Sequence, residues 1–101
     1  MDKVLGMLGM AKRAGKVISG SFLCEKAVRN QQSALILVAT DMSENAKQDM
    51  IRLCGHHGVQ YIEYADKEAL GRSVGAGERA VISVNDRNFA DAVLAKYAKA
   101  E

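Results

Sequence analysis

The sequence predicts an α/β fold, a three-layer α/β/α sandwich, for this chain of 101 residues. Two observations lead to it. Four short apolar or alternating segments have the length and composition of strands, and helical segments separate them. Strands that alternate with helices form a sheet covered on both faces. The length fits a single domain over residues 1–101, and because proline is absent, glycine marks most boundaries.

The N-terminal third of the chain contains a helix, a strand and a second helix. The first helix is predicted from three apolar residues at helical spacing: Val4, Leu8, Ala11. Gly15 ends it. The stretch "KVIS" is a short strand candidate. Gly20-Ser21 then begins a second helix, which runs through Asn30.

The middle of the chain predicts a buried strand followed by a helix. The apolar run "SALILVAT" is typical of a strand with both faces covered. Asp41 or Ser43 caps the next helix by accepting hydrogen bonds from its free amides. We expect that helix to run to Cys54, with Gly55 as its left-handed terminator.

The C-terminal third predicts two more strands and two more helices. In "VQYIEY" apolar and polar residues alternate, as in a strand with one wetter face. Asp66 starts a short helix, "AVISV" is a further buried strand, and Asn85 or Asp86 caps the last helix. The apolar face of that helix recurs every four residues: Phe89, Val93, Tyr97.

The charge of the chain is unevenly distributed. The composition is 49% hydrophobic and 26% charged, as in folded rather than disordered chains. The net charge is +2, yet residues 1–30 carry six bases against Asp2 and Glu25, a net of +4, so the rest carries −2. A basic segment on a faintly acidic chain predicts a polyanion at one surface.

The sequence also indicates a cellular compartment. Two cysteines do not make a disulfide framework, and no signal-peptide pattern opens the chain. No apolar run reaches the roughly 18 residues that a membrane span needs. We therefore expect a cytoplasmic protein.

Two local patterns suggest a cofactor or a metal, and neither has the required context. "GAGERA" fits a dinucleotide fingerprint, but it follows a helix and leads into a strand, the reverse of the required order. Cys54, His56 and His57 form one cluster, whereas specific zinc motifs pair two. No nucleophile elbow or P-loop lysine appears. The sequence thus predicts no cofactor, no metal site and no catalysis.

A group of cations near the Gly20-Ser21 helix start is the remaining functional signal. The unpaired amides and positive dipole of a helix N-terminus favour phosphate, and glycine lets the backbone approach closely. Stacking aromatics are few, which favours a structured RNA over generic single-strand binding. We expect four cations to flank the helix start: Lys12, Arg13, Lys16, Lys26.

Five blocks of the chain together resemble the kink-turn RNA-binding ribosomal proteins, the L-seven-Ae/L-thirty-e superfamily, most closely its small bacterial YlxQ-like branch. The blocks are "LGMAKRAGKVISG", "ALILVATDMSENAKQDM", "LCGHHGVQYI", "LGRSVG" and "ERAVISVNDRNFA". The resemblance implies a sandwich around a four-stranded mixed sheet. It also implies that a sharply bent RNA is held by the glycine-led start of the second helix and by a loop before the last strand.

The family motif at that helix is Gly, any residue, Asn, Glu, two further residues and Lys, and here the stretch is "GSFLCEK". Gly20 and Lys26 match, whereas Phe22 and Leu23 replace Asn and Glu. Because Phe and Leu side chains make no hydrogen bonds, base-edge contacts worth roughly 1–3 kcal/mol each are lost. We expect Leu23 to lie in the core, and Phe22 either to stack on a base or to pack against the protein. The resemblance carries over these contacts: Gly20, Ser21, Lys26, Lys67, Gly75, Arg79.

We therefore expect a small, non-catalytic RNA-binding protein that works with ribosomal or other structured RNA, with ribosomal proteins as further partners. Two alternatives stay open. One is a protein-interaction module on the same fold that has lost specific RNA recognition, with Phe22 as an exposed anchor. The other is a nucleotide-processing enzyme that uses Asp41 or Glu44.

Overall fold

The computed structural model describes residues 2–100. Within that range the chain forms five helices and four strands, and each predicted strand is present. No helix in this part of the chain has the length and hydrophobicity to cross a lipid bilayer. The elements are α1 (Lys3–Arg13), β1 (Val17–Ser19), α2 (Ser21–Arg29), β2 (Leu35–Val38), α3 (Glu44–His57), β3 (Gln60–Glu63), α4 (Lys67–Ser73), β4 (Val81–Val84) and α5 (Arg87–Ala100).

The four strands form one mixed sheet in the order β1-β4-β2-β3. β2 and β3 are parallel, and β4 is antiparallel to both of its neighbours. The last residues of β1, β2 and β3 therefore share one edge of the sheet with the first residue of β4. We call this the upper edge (Ser19, Val38, Glu63, Val81) and the opposite one the lower edge (Val17, Leu35, Gln60, Val84).

Helices cover both faces of this sheet. α1 packs against α4 and α5, while α2 packs against α3. Every residue of the two central strands, β2 and β4, is buried, which requires cover on both sides. The predicted three-layer sandwich with a four-stranded mixed sheet is confirmed.

Two of the predicted helix caps are present. The Asp66 carboxylate accepts from the Ala69 N–H at 2.8 Å at the start of α4, and the Asp86 carboxylate accepts from the Phe89 N–H at 2.9 Å at the start of α5. Such a bond satisfies an amide that has no intrahelical partner. Both short polar residues therefore act as the sequence predicts.

The predicted cap of α3 is wrong. Ser43 occupies the N-cap position, but its side chain makes no capping hydrogen bond. The Asp41 carboxylate instead accepts from the Lys67 N–H at 2.9 Å, so it joins the end of β2 to the start of α4. Asp41 therefore accepts from the first residue of α4, which is distant in sequence, rather than from α3, which follows it closely.

The predicted end of α3 is also wrong. The helix passes through Gly55 and ends at Gly58, which has the left-handed φ of 70°. The Val59 N–H then donates to the Cys54 carbonyl at 2.9 Å, which closes the helix. Glycine within a helix costs only about 1 kcal/mol relative to alanine, so Gly55 does not stop it.

Candidate nucleic-acid interface

The start of α2 lies at the upper edge and has exposed, uncapped amides. Gly20 precedes it with φ 98° and ψ 144°, and no side chain caps the helix. The first helical bond runs from the Cys24 N–H to the Gly20 carbonyl, at 3.0 Å. The N–H groups of Ser21, Phe22 and Leu23 therefore have no acceptor within the helix. Such an end favours an anion.

Gly20 does not offer its own amide to a ligand. Its N–H donates to the Val81 carbonyl at 2.9 Å, which joins the end of β1 to the start of β4. The expected phosphate contact from the Gly20 N–H is therefore wrong. Gly20 contributes through its conformation, because a positive φ of this size disfavours residues with a Cβ.

Arg79 lies beside the start of α2. Its Nε donates to the Ser19 hydroxyl at 3.1 Å, and Ser19 directly precedes Gly20. Its Nη1 donates to the Glu78 carbonyl at 2.9 Å. A guanidinium has five N–H groups, so these two bonds leave donors for a phosphate. The structure thus brings the loop before β4 to the start of α2, as the family resemblance implies.

Lys67 and Gly75, the other two contacts expected near Arg79, lie at opposite ends of α4. The Arg79 N–H donates to the Lys67 carbonyl at 3.0 Å, so the first residue of α4 adjoins Arg79. The Gly75 N–H donates to the Arg72 carbonyl at 3.1 Å, in the last turn of α4. Seven helical residues span about 10 Å. Lys67 is thus close to Arg79 through the backbone, whereas Gly75 lies at the far end of the helix.

Phe22 and Leu23 point into solvent. Phe22 is 76% exposed and Leu23 is 48% exposed, so the expectation that Leu23 lies in the core is wrong. The core face of α2 has helical spacing: Cys24, Ala27, Val28. That spacing is visible in the sequence and leaves the two preceding residues outside. Phe22 and Lys26, one turn apart, line a shallow cavity of about 240 Å³.

The three cations between the end of α1 and the start of β1 lie at the lower edge, away from the start of α2. The Lys16 carbonyl accepts from the Asn85 N–H at 2.8 Å, beyond the end of β4. An extended chain of four residues separates Lys16 from Gly20 by about 13 Å. The placement of Lys12, Arg13 and Lys16 around the start of α2 is therefore wrong, because β1 lies between them and that helix.

The Arg13 side chain folds back toward the preceding turn of α1. One nitrogen of its guanidinium lies 3.7 Å from where a Cβ on Gly9 would be, one turn back along α1. The side chain thus follows the helix surface. It remains exposed, as do Lys12 and Lys16.

Carboxylates dominate the upper edge around β2 and β3. They lie at or just beyond the ends of those strands, or at the starts of α3 and α4: Asp41, Glu44, Glu63, Asp66, Glu68. The Lys47 Nζ lies 2.7 Å from the Glu63 carboxylate and 3.2 Å from the Thr40 carbonyl, and the hydrogen bond to Glu63 raises the pKa of Lys47. A polyanion is therefore repelled from this half of the edge and favoured on the β1 side.

The cysteines and histidines do not form a metal site in the part of the chain that the structure describes. Within residues 2–100 no three His, Cys, Asp or Glu side chains meet as a ligand set. Cys24 and Cys54 are buried, and burial raises the pKa of Cys24 to about 12 and that of Cys54 to about 11. His56 and His57 belong to the last turn of α3.

The sequence has relatives among known proteins. The model of the Ribosomal protein L7Ae/L30e/S12e/Gadd45 family matches residues 2–94. RNA-binding protein YlxQ of Bacillus subtilis (strain 168) is 36% identical over 88 residues, which cover 87% of this chain and 88% of that relative. RNA-binding protein YlxQ of Enterococcus faecium is 31% identical over 89 residues, which cover 88% and 85%.

Solved structures share the fold. A protein with unknown function from Bacillus halodurans C superposes with a TM-score of 0.93 at 31% identity, covering 97% of this chain and 99% of that one. The Giardia lamblia 15.5kD RNA binding protein superposes with a TM-score of 0.80 at 20% identity, covering 96% and 83%. The second likeness shows the fold alone.

Proposed function

The chain belongs to the Ribosomal protein L7Ae/L30e/S12e/Gadd45 family, and on that premise we propose that it binds structured RNA at the start of α2. RNA binding is the activity for which both YlxQ relatives are named, and these relatives match most of the chain. The family and these relatives are not enzymes, which confirms the prediction of a non-catalytic protein.

The observation that carries the proposal is the meeting of Arg79 with the uncapped start of α2. Arg79 contacts Ser19 at 3.1 Å, next to three amides without helical acceptors. A phosphate there accepts from the Ser21 and Phe22 amides and pairs with the Arg79 guanidinium. Lys26, one turn further along α2, adds a second positive charge. These contacts hold the RNA backbone and carry no sequence information.

Phe22 supplies a contact to a base, which the phosphate-backbone contacts lack. A largely exposed phenylalanine beside a phosphate site is a surface on which an unpaired base can stack, and stacking tolerates any base. The RNA that fits therefore combines a backbone bend with an unpaired nucleotide, and a kink-turn is one such RNA. Because the family includes ribosomal proteins, we extend the proposal to ribosomal RNA and ribosomal proteins as partners in a cytoplasmic ribonucleoprotein.

Lys26→Ala tests the phosphate contact. We expect this substitution to weaken binding to a bulged RNA similarly across sequences and to reduce the slope of log K against log salt by about one. Lys99→Ala, which removes an exposed charge on α5, is the matched control and leaves the slope unchanged. Equal slopes for wild type and Lys26→Ala in filter-binding titrations would contradict the assignment.

A protein-interaction module is the second candidate function, and the adjacent exposed Phe22 and Leu23 favour it. In that case Phe22→Ala removes a protein partner that survives nuclease treatment in a pull-down and leaves RNA affinity unchanged. If Phe22 stacks on a base, the same substitution weakens RNA binding. One variant thus separates the two functions.

A further inference from the structure

We propose that the lower edge is a second polyanion-binding surface, which contacts the phosphate backbone of an RNA duplex segment distinct from the one at α2. The inference rests on RNA being the ligand. The surface, here called the lower basic surface, consists of Lys12, Arg13 and Lys16. All three side chains are exposed. Arg29, at the end of α2, lines the cavity that Phe22 and Lys26 share and belongs to the α2 surface.

Topology brings these residues to one edge. α1 ends where β1 begins, so its C-terminus lies at the lower edge. Lys12 and Arg13 belong to the last turn of α1, and Lys16 directly precedes β1. Three of the six basic residues among the first thirty thus lie opposite the carboxylates of the upper edge.

The charge balance of this edge is positive after its neighbours are included. No ion pair within residues 2–100 involves a member of the lower basic surface. Arg87, nearby, pairs with Asp91 at 3.0 Å and is neutralised. Asp86 contributes one negative charge. Three helix C-termini (α1, α2, α3) and one N-terminus (α5) add about −1 in total. Three cations therefore leave a local excess of about +1.

The backbone that carries these cations is held in place. The Gly15 N–H donates to the Lys12 carbonyl at 2.9 Å, and the Lys16 N–H donates to the Ala11 carbonyl at 3.0 Å. The Asn85 N–H fixes the Lys16 carbonyl at 2.8 Å. Ligand binding then orders only side chains, which lowers the entropic cost of the contact.

The chemistry of the surface fits duplex phosphates rather than bases. Its members are lysines and an arginine without an aromatic among them, so they neutralise phosphates and do not stack. The separation from the start of α2, about 13 Å along β1, places the two surfaces on opposite edges of the sheet. One phosphate cannot bridge both, so the second surface holds a separate backbone segment.

The test compares two triple variants with the same charge change. Lys12→Ala/Arg13→Ala/Lys16→Ala removes the lower cations, and Lys3→Ala/Lys96→Ala/Lys99→Ala removes three from the ends of α1 and α5 at the other edge. The probe is a plain RNA duplex without bulges or loops, titrated at several salt concentrations. We expect the first triple to reduce the salt slope by two to three units, at about 0.9 per phosphate, and the control by less than one.

The outcomes separate this inference from the proposed function. If both triples reduce the slope equally, or neither does, the lower basic surface is not an RNA site, and an acidic protein surface becomes its next candidate partner. A bulged RNA that is weakened by Lys26→Ala then still supports the α2 site. If wild type binds neither RNA, the proposed function fails and the inference falls with it. Circular dichroism of each variant confirms folding.

Discussion

Phe22 is the most exposed large hydrophobic residue among residues 2–100, at 76%. The family motif has an asparagine at this position, so the site exchanges a hydrogen-bonding group for a flat apolar ring. A ring beside free amides can distinguish an unpaired nucleotide from a paired one without reading its identity. Specificity for RNA shape is the expected consequence.

Phe22→Ala should weaken binding to a bulged RNA by about 1–3 kcal/mol, the value of one base–aromatic stack. Because the side chain is exposed, the free energy of unfolding should change by no more than about 0.5 kcal/mol. Fluorescence anisotropy with bulged and fully paired RNA measures the difference, and Tyr61→Ala on β3 is the control. Equal losses on the two RNAs would show that Phe22 does not stack on an unpaired base.

Tyr64 and Asp2 form a titrating pair between β3 and α1. The Tyr64 hydroxyl donates to the Asp2 carboxylate at 2.7 Å, and this bond, with burial, raises the pKa of Tyr64 to about 12 from its usual 10.0. Burial alone would raise the pKa of Asp2, but hydrogen bonds from the Leu5 amide and Tyr64 together lower it. The pair therefore holds a neutral phenol against a charged carboxylate.

Ultraviolet titration should show one of the three tyrosines ionising near pH 12. The stabilisation from a raised pKa is complete below about pH 10 and is lost as the pH rises toward 12. Asp2→Asn should move the Tyr64 midpoint back toward 10.0, and Tyr64→Phe should remove the transition near pH 12. A Tyr64 midpoint that does not respond to Asp2→Asn would exclude the pair as the cause.

At the scale of elements, α4 and the loop after it pack through two glycines. A Cβ on Gly71 would lie 1.7 Å from the Gly77 carbonyl oxygen and 3.2 Å from the Arg79 nitrogen. Both atoms belong to the backbone, so the loop itself must move to admit a methyl group. The position of Arg79 beside Ser19 therefore depends on Gly71 having no side chain.

Gly71→Ala should lower the free energy of unfolding by about 1–3 kcal/mol, as overpacking does, and should weaken RNA binding because Arg79 is displaced. Gly55→Ala is the matched control, since it lies in α3 with no atom within 4 Å of its Cβ position. It should stabilise the protein by up to about 1 kcal/mol. Urea denaturation measures both, and a Gly71→Ala variant as stable as wild type would contradict the packing account.

The sequence predicts the elements well and their spatial neighbours less well. Apolar runs place β2 and β4, because burial on two faces leaves a continuous apolar pattern, and alternation of apolar and polar residues places β3. Lys16 and Gly20, four residues apart, were expected to be neighbours, but the strand between them is extended and carries them to opposite edges. Arg79 and Ser19 are 60 residues apart. The family resemblance predicts that they lie close together, and no local sequence pattern does.

At the scale of the whole molecule, one core runs through all three layers. Buried residues of α1, α2, α3, α4, α5 and all four strands belong to a single cluster. Nothing in its arrangement divides the chain, so a single domain over residues 1–101 stays the prediction. The charges, in contrast, are divided between the lower edge and the carboxylates around β2 and β3.

A single core should unfold in one cooperative step. Far-ultraviolet circular dichroism, which follows the helices, and tyrosine fluorescence, which follows β3 and α5 through Tyr61, Tyr64 and Tyr97, should give coincident urea transitions. Two separated midpoints would show independent units. The cysteines give a check on the same transition, since their buried thiols should react with a disulfide reagent only as the protein unfolds.

The strand order leaves β1 and β3 as the outer strands of the sheet. β1 has three residues, and β3 has four, of which Gln60, Tyr61 and Glu63 are exposed. Short outer strands are poor templates for another chain to add a strand, and the charge of Glu63 on β3 adds to this protection. A polypeptide that is half hydrophobic thus keeps its most apolar strands in the interior and should resist fibril formation at high protein concentration.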